Sequence, residues 1–289
     1  MRLEKIERRF GLSAKLYAKA EQYNAGGSIK DRVAKAIIED AEKSGRLKTG
    51  GTVIEATSGN TGVGLALVAK ARGYKAIIVM PETMTVERRN LIASYGAEIV
   101  LTNGKAGMQG AVEKAEELLK NTPNSFIAGQ FVNSVCVQAH YDTTAPEIYE
   151  ALPGKTDIFT AGVGTGGTLT GIAKYLKEKN PQTKIVAIEP TSSPLLSQGK
   201  AGAHGIQGIG ANFVPKILDK SVIDEIITVS DEDAIAMARL LNAEEGLFVG
   251  ISAGANVWTA VRLAERKENA GKTIVTVLPD SGNRYLSIL

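Results

Sequence analysis

Three observations predict an α/β protein with two domains of mostly parallel sheet. Short β-branched runs alternate along the chain with longer stretches of helical periodicity. The short runs are continuously apolar rather than alternating, as in strands covered on both faces. The length of 289 residues, set against about 150 per domain, leaves room for two domains. The repeated strand–helix order implies right-handed crossovers.

Taken in order, the strands are expected at 16–19, 52–55, 76–80, 98–101, 157–160, 184–188, 226–229 and 273–278. Each centres on a run such as Ala76-Ile77-Ile78-Val79-Met80 or Lys184-Ile185-Val186-Ala187-Ile188. Between them, helices are expected at about 29–44, 61–72, 84–95, 105–120, 168–179, 231–244 and 253–267. Gly45, Gly73, Gly96 and Gly271 follow helical stretches, where a left-handed cap is favoured. The stretch 121–155 has the weakest pattern and suits a domain crossing. No repeat and no low-complexity linker is visible.

Composition narrows the function. Hydrophobic residues make up 44% and charged residues 22%, an ordinary globular balance. Lys plus Arg is 34 against 31 for Asp plus Glu, a formal charge of +3 with no long like-charge run. That argues against a nucleic-acid or membrane-surface protein. Cys136 is the only cysteine, so no intrachain disulfide forms and a cytoplasmic location is expected. With only His140 and His204 beside it, no metal site is expected. The longest apolar runs fall far short of the roughly 18 residues of a membrane span. The start, Met1-Arg2-Leu3-Glu4-Lys5-Ile6, shows no signal peptide.

Glycine is abundant at 31 residues and clusters in a few loops, as where backbone approaches a ligand. Gly162-Val163-Gly164-Thr165-Gly166-Gly167 fits a dinucleotide fingerprint, and Glu189 ends the next strand at the right spacing for a ribose. What the loop supports more narrowly is free N–H groups at a helix N-terminus, shaped for a phosphate. Gly250-Ile251-Ser252-Ala253-Gly254 fits a nucleophile elbow, but no histidine follows Ser252, so the hydrolase order is missing. Gly26-Gly27-Ser28-Ile29-Lys30 leads into a helix. Its start disfavours a cation and so favours a nucleophilic amine at Lys30. Thr57-Ser58-Gly59-Asn60-Thr61-Gly62 offers hydroxyls, an amide and backbone N–H groups suited to a carboxylate or phosphate. Taken separately, these loops also read as ordinary turns and caps.

Together they resemble the β-family pyridoxal-phosphate enzymes of tryptophan-synthase-type fold (fold type II), and among them the cysteine synthases, or O-acetylserine sulfhydrylases. The resemblance runs through Asn24–Arg32, Ala56–Gly62 and Gly164–Thr168, in the family's order. It continues through Gln207–Ala211, Gly250–Gly254 and Arg284–Ser287. It implies that Lys30 holds pyridoxal 5'-phosphate covalently. It further implies that Gly164, Thr165, Gly166, Gly167 and Thr168 cradle its phosphate, that Asn60 bonds the ring hydroxyl, and that Ser252 faces the ring nitrogen. By the same resemblance Thr57, Ser58, Gly59, Thr61 and Gln130 hold the substrate α-carboxylate. The smaller domain is then 34–140 and the larger 1–33 plus 141–289, with the smaller closing over bound substrate.

The implied reaction is β-replacement on O-acetyl-L-serine by sulfide, giving L-cysteine and acetate, with Lys30 as general base. Cystathionine β-synthase, O-phosphoserine sulfhydrylase and serine/threonine dehydratase share the fold. A nicotinamide (NAD) dehydrogenase using Gly162–Gly167, or a truncated non-catalytic binding protein, are readings from other classes. Ala25 stands where the family often has Pro, and residues 130–136 depart from its usual Asp-Asn-x-x-Asn continuation. The chain also starts without the family's N-terminal arm. The resemblance therefore implies a homodimer, with weakened contacts.

Overall fold

The computed structural model describes residues 1–289. Its strands are β1 (Lys15–Ala20), β2 (Thr52–Ala56), β3 (Lys75–Pro81), β4 (Glu98–Thr102) and β5 (Ser125–Ile127), then β6 (Ile158–Gly162), β7 (Lys184–Pro190), β8 (Glu225–Val229) and β9 (Thr273–Leu278). All pair in parallel. The chain divides into two compact units, Asn24–Cys136 and Met1–Tyr23 with Val137–Leu289. No helix is long and apolar enough to cross a membrane.

In the smaller unit the sheet order is β4-β3-β2-β5. Ile54, Ile77 and Val79 pack on Ala111 and Ala115 of the helix Gly107–Asn121. The chain runs outward from β2 through β3 to β4 and then returns to the other side of β2. That reversal leaves a crevice at the C-terminal end of β2, the usual ligand position in a parallel sheet.

In the larger unit the order is β1-β9-β6-β7-β8. Its reversal lies between β6 and β9. The central strands are buried along almost their whole length, which explains their continuous apolar sequence. The helix Ile251–Ala264 is buried on nearly every side, with Val257 and Val261 in the core beside Ile158 and Ile274.

The eight expected strands are present, with ends moved by at most two residues. β5 was not expected: it is a three-residue edge strand in which only Phe126 is buried. The helix 231–244 is found as Asp231–Leu240 continued by a π-helical turn, Leu241–Glu245, which Gly246 closes at φ 71°. The weakly patterned stretch 121–155 holds β5 and the helices Val135–Ala139 and Ala145–Ala151 around a π-helical turn, His140–Thr144. Gly45, Gly73, Gly96 and Gly271 all have positive φ, as expected of left-handed caps.

Candidate active site

In the smaller unit, Lys30 opens the helix Lys30–Lys43. The turn before it is tightly built. Gly26 N donates to Asp31 Oδ2 at 2.6 Å, Asn24 Nδ2 to the Ser28 carbonyl at 3.0 Å, and Lys30 N to Ser28 Oγ at 3.2 Å. A Cβ on Gly26 would come within 2.5 Å of Asp31 Oδ1, so a side chain here would push the Asp31 carboxylate away. The turn fixes where the Lys30 side chain starts.

The loop after β2 leads into the helix Asn60–Ala71. A Cβ on Gly64 would lie 3.0 Å from the Lys30 carbonyl oxygen and 3.1 Å from Ala34 Cβ. Glycine there seats the start of this helix against the start of the lysine's helix. Lys30 and the 57–61 loop therefore share one corner of the unit. Thr57 and Thr61 are buried, while Ser58, Gly59 and Asn60 are half-buried. Thr57 Oγ1 accepts from Gly59 N at 3.2 Å, and Arg88 Nη1 donates to the Ser58 carbonyl at 3.2 Å.

Gln130 follows β5, at the other side of the β2 reversal. Thr61 Oγ1 donates to Gln130 Oε1 at 2.6 Å. This orients the Gln130 amide, leaving its two N–H protons as the donors for an anion. Sequence reasoning missed a residue beside them. Glu55, on β2 and 4% exposed, accepts from Gly129 N at 2.8 Å and Gln130 N at 3.2 Å. Burial pushes its carboxyl up to about 7, against the pull of those two N–H groups. Cys136 is buried nearby, and desolvation pushes its thiol up to about 11 despite the charge of Lys30. It is a poor nucleophile in that state.

In the larger unit, the loop after β6 opens the 13-residue helix Gly167–Lys179. The backbone passes too close to its neighbours for side chains. A Cβ on Gly164 would lie 2.2 Å from the Gly208 carbonyl oxygen, and one on Gly166 would lie 2.7 Å from Leu218 Cβ. Gly166 also holds φ 85°, a left-handed conformation. The 207–211 segment is thus a wall of the glycine loop, with Gly210 N donating to the Val163 carbonyl at 2.9 Å. Asn256 ties the end of β6 to β9, accepting from Gly162 N at 2.9 Å and donating to the Val277 carbonyl at 2.8 Å.

The first turn of this helix carries no acidic residue. By contrast, the helix Asp231–Leu240 fills its first turn with Asp231, Glu232 and Asp233. The first-turn N–H groups of Gly167–Lys179, with the Thr165 and Thr168 hydroxyls beside them, make a donor set fit for a phosphate dianion. Thr168 Oγ1 lies 3.2 Å from His140 Nε2, and His140 Nδ1 lies 2.9 Å from Thr144 Oγ1. His140 entered the sequence reading only as a possible metal ligand. Gly171 brings its ring to the helix: a Cβ there would lie 2.9 Å from His140 Cβ.

Ser252, 4% exposed, lies in the first turn of Ile251–Ala264. Its Oγ is 3.8 Å from where a Cβ on Gly208 would stand, which places it on the same wall as the glycine loop. Glu189 is 2% exposed, and its carboxylate is already engaged. It accepts from Leu196 N at 2.7 Å and Ser197 N at 3.0 Å. The acid that completed the dinucleotide pattern is a cap for the short helix Leu195–Gln198.

A family profile described as pyridoxal-phosphate dependent enzymes matches residues 1–280. The chain belongs to that family. Its cofactor is pyridoxal 5'-phosphate. The chain is 51% identical to a cysteine synthase of Staphylococcus aureus over 276 residues, 95% of this chain and 88% of that one. Among solved structures it is similar to the cysteine synthase of Entamoeba histolytica, with 45% identity, a TM-score of 0.92 and coverage of 95% and 81% of the two chains. It is also similar to an O-acetylserine dependent cystathionine β-synthase of Helicobacter pylori, with 39% identity, a TM-score of 0.90 and coverage of 96% and 90%. The fold is the tryptophan-synthase-type fold of this family. The glycine loop after β6 thus belongs to a pyridoxal-phosphate enzyme and not to a nicotinamide dehydrogenase.

Proposed function

We propose that this chain is a cysteine synthase, making L-cysteine and acetate from O-acetyl-L-serine and sulfide. The observation that carries the substrate pair is the 51% identity to a cysteine synthase across 95% of the chain. The family resemblance, together with the donors each loop offers, supports the following division of labour. Thr165, Thr168 and the backbone of Gly164, Gly166 and Gly167 hold the cofactor phosphate. Asn60 takes the ring hydroxyl and Ser252 the ring nitrogen, to which it presents a neutral hydroxyl. Thr57, Ser58, Gly59, Thr61 and Gln130 bind the substrate α-carboxylate, with the Gln130 amide protons turned outward by Thr61.

Bound pyridoxal phosphate supplies the electron sink that makes the substrate's α-proton acidic and its β-substituent expellable. Lys30 would hold the cofactor through its amine, and with the amino-acid substrate bound the free Lys30 Nζ would take the proton from Cα. The Cβ–O bond breaks and acetate leaves. Hydrosulfide then forms the Cβ–S bond, and Lys30 returns a proton to Cα.

The holoenzyme is expected to absorb in the visible range. O-acetylserine should shift that band and release acetate, and sulfide should restore it with formation of cysteine. An unchanged spectrum with O-acetylserine would overturn the proposal. The likeness to an O-acetylserine dependent cystathionine β-synthase favours a second reading of the thiol alone. Turnover with homocysteine faster than with sulfide would decide for it.

The proposal extends, on the family resemblance, to a homodimer working in the cytoplasm on small molecules. Sedimentation across a concentration series should show dimer. A monomer at every concentration with full activity would overturn this.

A further inference from the structure

We propose that Glu55 is a positioning residue for the substrate α-carboxylate, holding Gln130 in register with Thr61 through the backbone of Gly129 and Gln130. The inference rests on the cysteine synthase reading and adds to it a residue that touches neither substrate nor cofactor.

β5 pairs with β2 only as far as Ile127 opposite Ile54. One more backbone bond follows, from Ala128 N to the Ile54 carbonyl at 3.0 Å. Gly129 then turns the chain away at φ 68°. Its N–H and that of Gln130 leave the ladder in a buried place, where unpaired donors are costly. Both oxygens of Glu55 meet them, at 2.8 and 3.2 Å. An ionised carboxylate accepts such bonds about twice as strongly as a neutral acceptor does. Downstream, the Gly129 carbonyl accepts from Val132 N at 3.0 Å and Asn133 N at 2.9 Å, so the whole turn is anchored on residues that Glu55 holds.

The consequence reaches the substrate through Gln130. Its side-chain oxygen is committed to Thr61 at 2.6 Å, and this bond exists only while its backbone stays at this distance from the helix Asn60–Ala71. Release of the turn lets Gln130 drift from Thr61 and randomises the amide that is to face the carboxylate. Such a loss acts on binding of the amino-acid substrate. It does not act on the second substrate or on the phosphate loop.

The test uses purified holoenzyme at pH 8, where the Glu55 carboxyl is ionised. Glu55→Gln puts an amide donor against one of the two N–H groups and removes the charge. KM for O-acetylserine should rise about 10-fold, the level at which hydrogen bonds to ionised groups are felt. At the same time kcat and KM for sulfide should change by less than about threefold and the cofactor's visible absorption should be unchanged, as for loss of a binding interaction alone. Amide hydrogen exchange over residues 128–133 should speed up in the variant. Glu55→Asp keeps the carboxylate and should recover most of the lost affinity; it also serves if the glutamine variant folds poorly. In Gln130→Ala, adding Glu55→Gln should raise KM no further, since both act through one side chain.

Unchanged exchange over 128–133 would overturn the clamp. Faster exchange with KM for O-acetylserine within about twofold of wild type would overturn the substrate role, because a coupled residue moves the binding step by more. Wild type with no turnover of O-acetylserine would instead sink the cysteine synthase reading itself, and this inference with it.

Discussion

Lys30→Ala should lower turnover by a factor of 10³ or more, on the order expected when a general base and a covalent anchor are lost together. The loss should not come from misfolding. The turn that places Lys30 is held by Gly26, Asn24, Ser28 and Asp31, through bonds from backbone N–H groups and the Asn24 amide. The variant should therefore melt within a few degrees of wild type and retain the cofactor through the phosphate loop. Lys30→Arg separates charge from chemistry. It keeps the cation but offers no free amine at working pH, so it should be as inactive as the alanine variant. Borohydride treatment of the wild type should fix the cofactor on the peptide containing Lys30. Fixation on another lysine, or a Lys30→Ala enzyme within tenfold of wild-type turnover, would sink the assignment.

The strands were readable because of where they lie. Ile77-Ile78-Val79-Met80 and Ile185-Val186-Ala187-Ile188 are buried on both faces, and a continuous apolar run is the direct mark of that. β5 escaped because its edge position and its single buried side chain, Phe126, leave no run to see. The helix Glu4–Arg9 escaped for a different reason. Its sequence is almost wholly charged, and what caps it is Glu245, which accepts from Lys5 N at 2.8 Å and Ile6 N at 3.0 Å. Glu7 then anchors it to β1 through Leu16 N at 2.7 Å. These are tertiary bonds, and local propensity holds no trace of the first, which spans 240 residues.

The site shows the same contrast. Glycine loops are legible because close backbone approach demands glycine at particular places, as Gly164 against the Gly208 carbonyl demonstrates. Glu55 was not legible, since a glutamate ending a strand is unremarkable until the Gly129–Gln130 turn is found beside it. His140 was likewise legible only as a lone histidine, because its partner Thr168 lies 28 residues away on another helix. Glu189 shows the opposite error, in which a spacing that fits a ribose ligand belongs to a cap whose partners are seven and eight residues on.

Glu189, whose carboxylate is committed to Leu196 and Ser197, is therefore a control for the glycine loop. Gly166→Asp should abolish cofactor binding, raising Kd by about 100-fold or more through two separable penalties. One is steric. Gly166 sits at φ 85°, and any Cβ there meets Leu218 Cβ at 2.7 Å and Cα at 3.0 Å. Gly166→Ala carries this penalty alone, so it should bind cofactor weakly but measurably. The other is charge. The carboxylate would sit at the N-cap of Gly167–Lys179, in the place of the phosphate it repels and satisfying the same N–H donors. The aspartate variant should accordingly hold less cofactor than the alanine variant while being no less stable as apoprotein, because an acidic N-cap favours the helix. Glu189→Ala should do the reverse. It frees the N–H groups of Leu196 and Ser197 and should lower stability by about 1–3 kcal/mol, yet leave the cofactor Kd within about twofold, since the Glu189 carboxylate is committed to those two groups. Equilibrium dialysis of cofactor, paired with thermal melts of the three variants, reads both axes. A large loss of cofactor from Glu189→Ala at unchanged stability would mean that the acid, and not the glycine loop alone, holds the ligand, and would reverse the assignment of this loop to a phosphate.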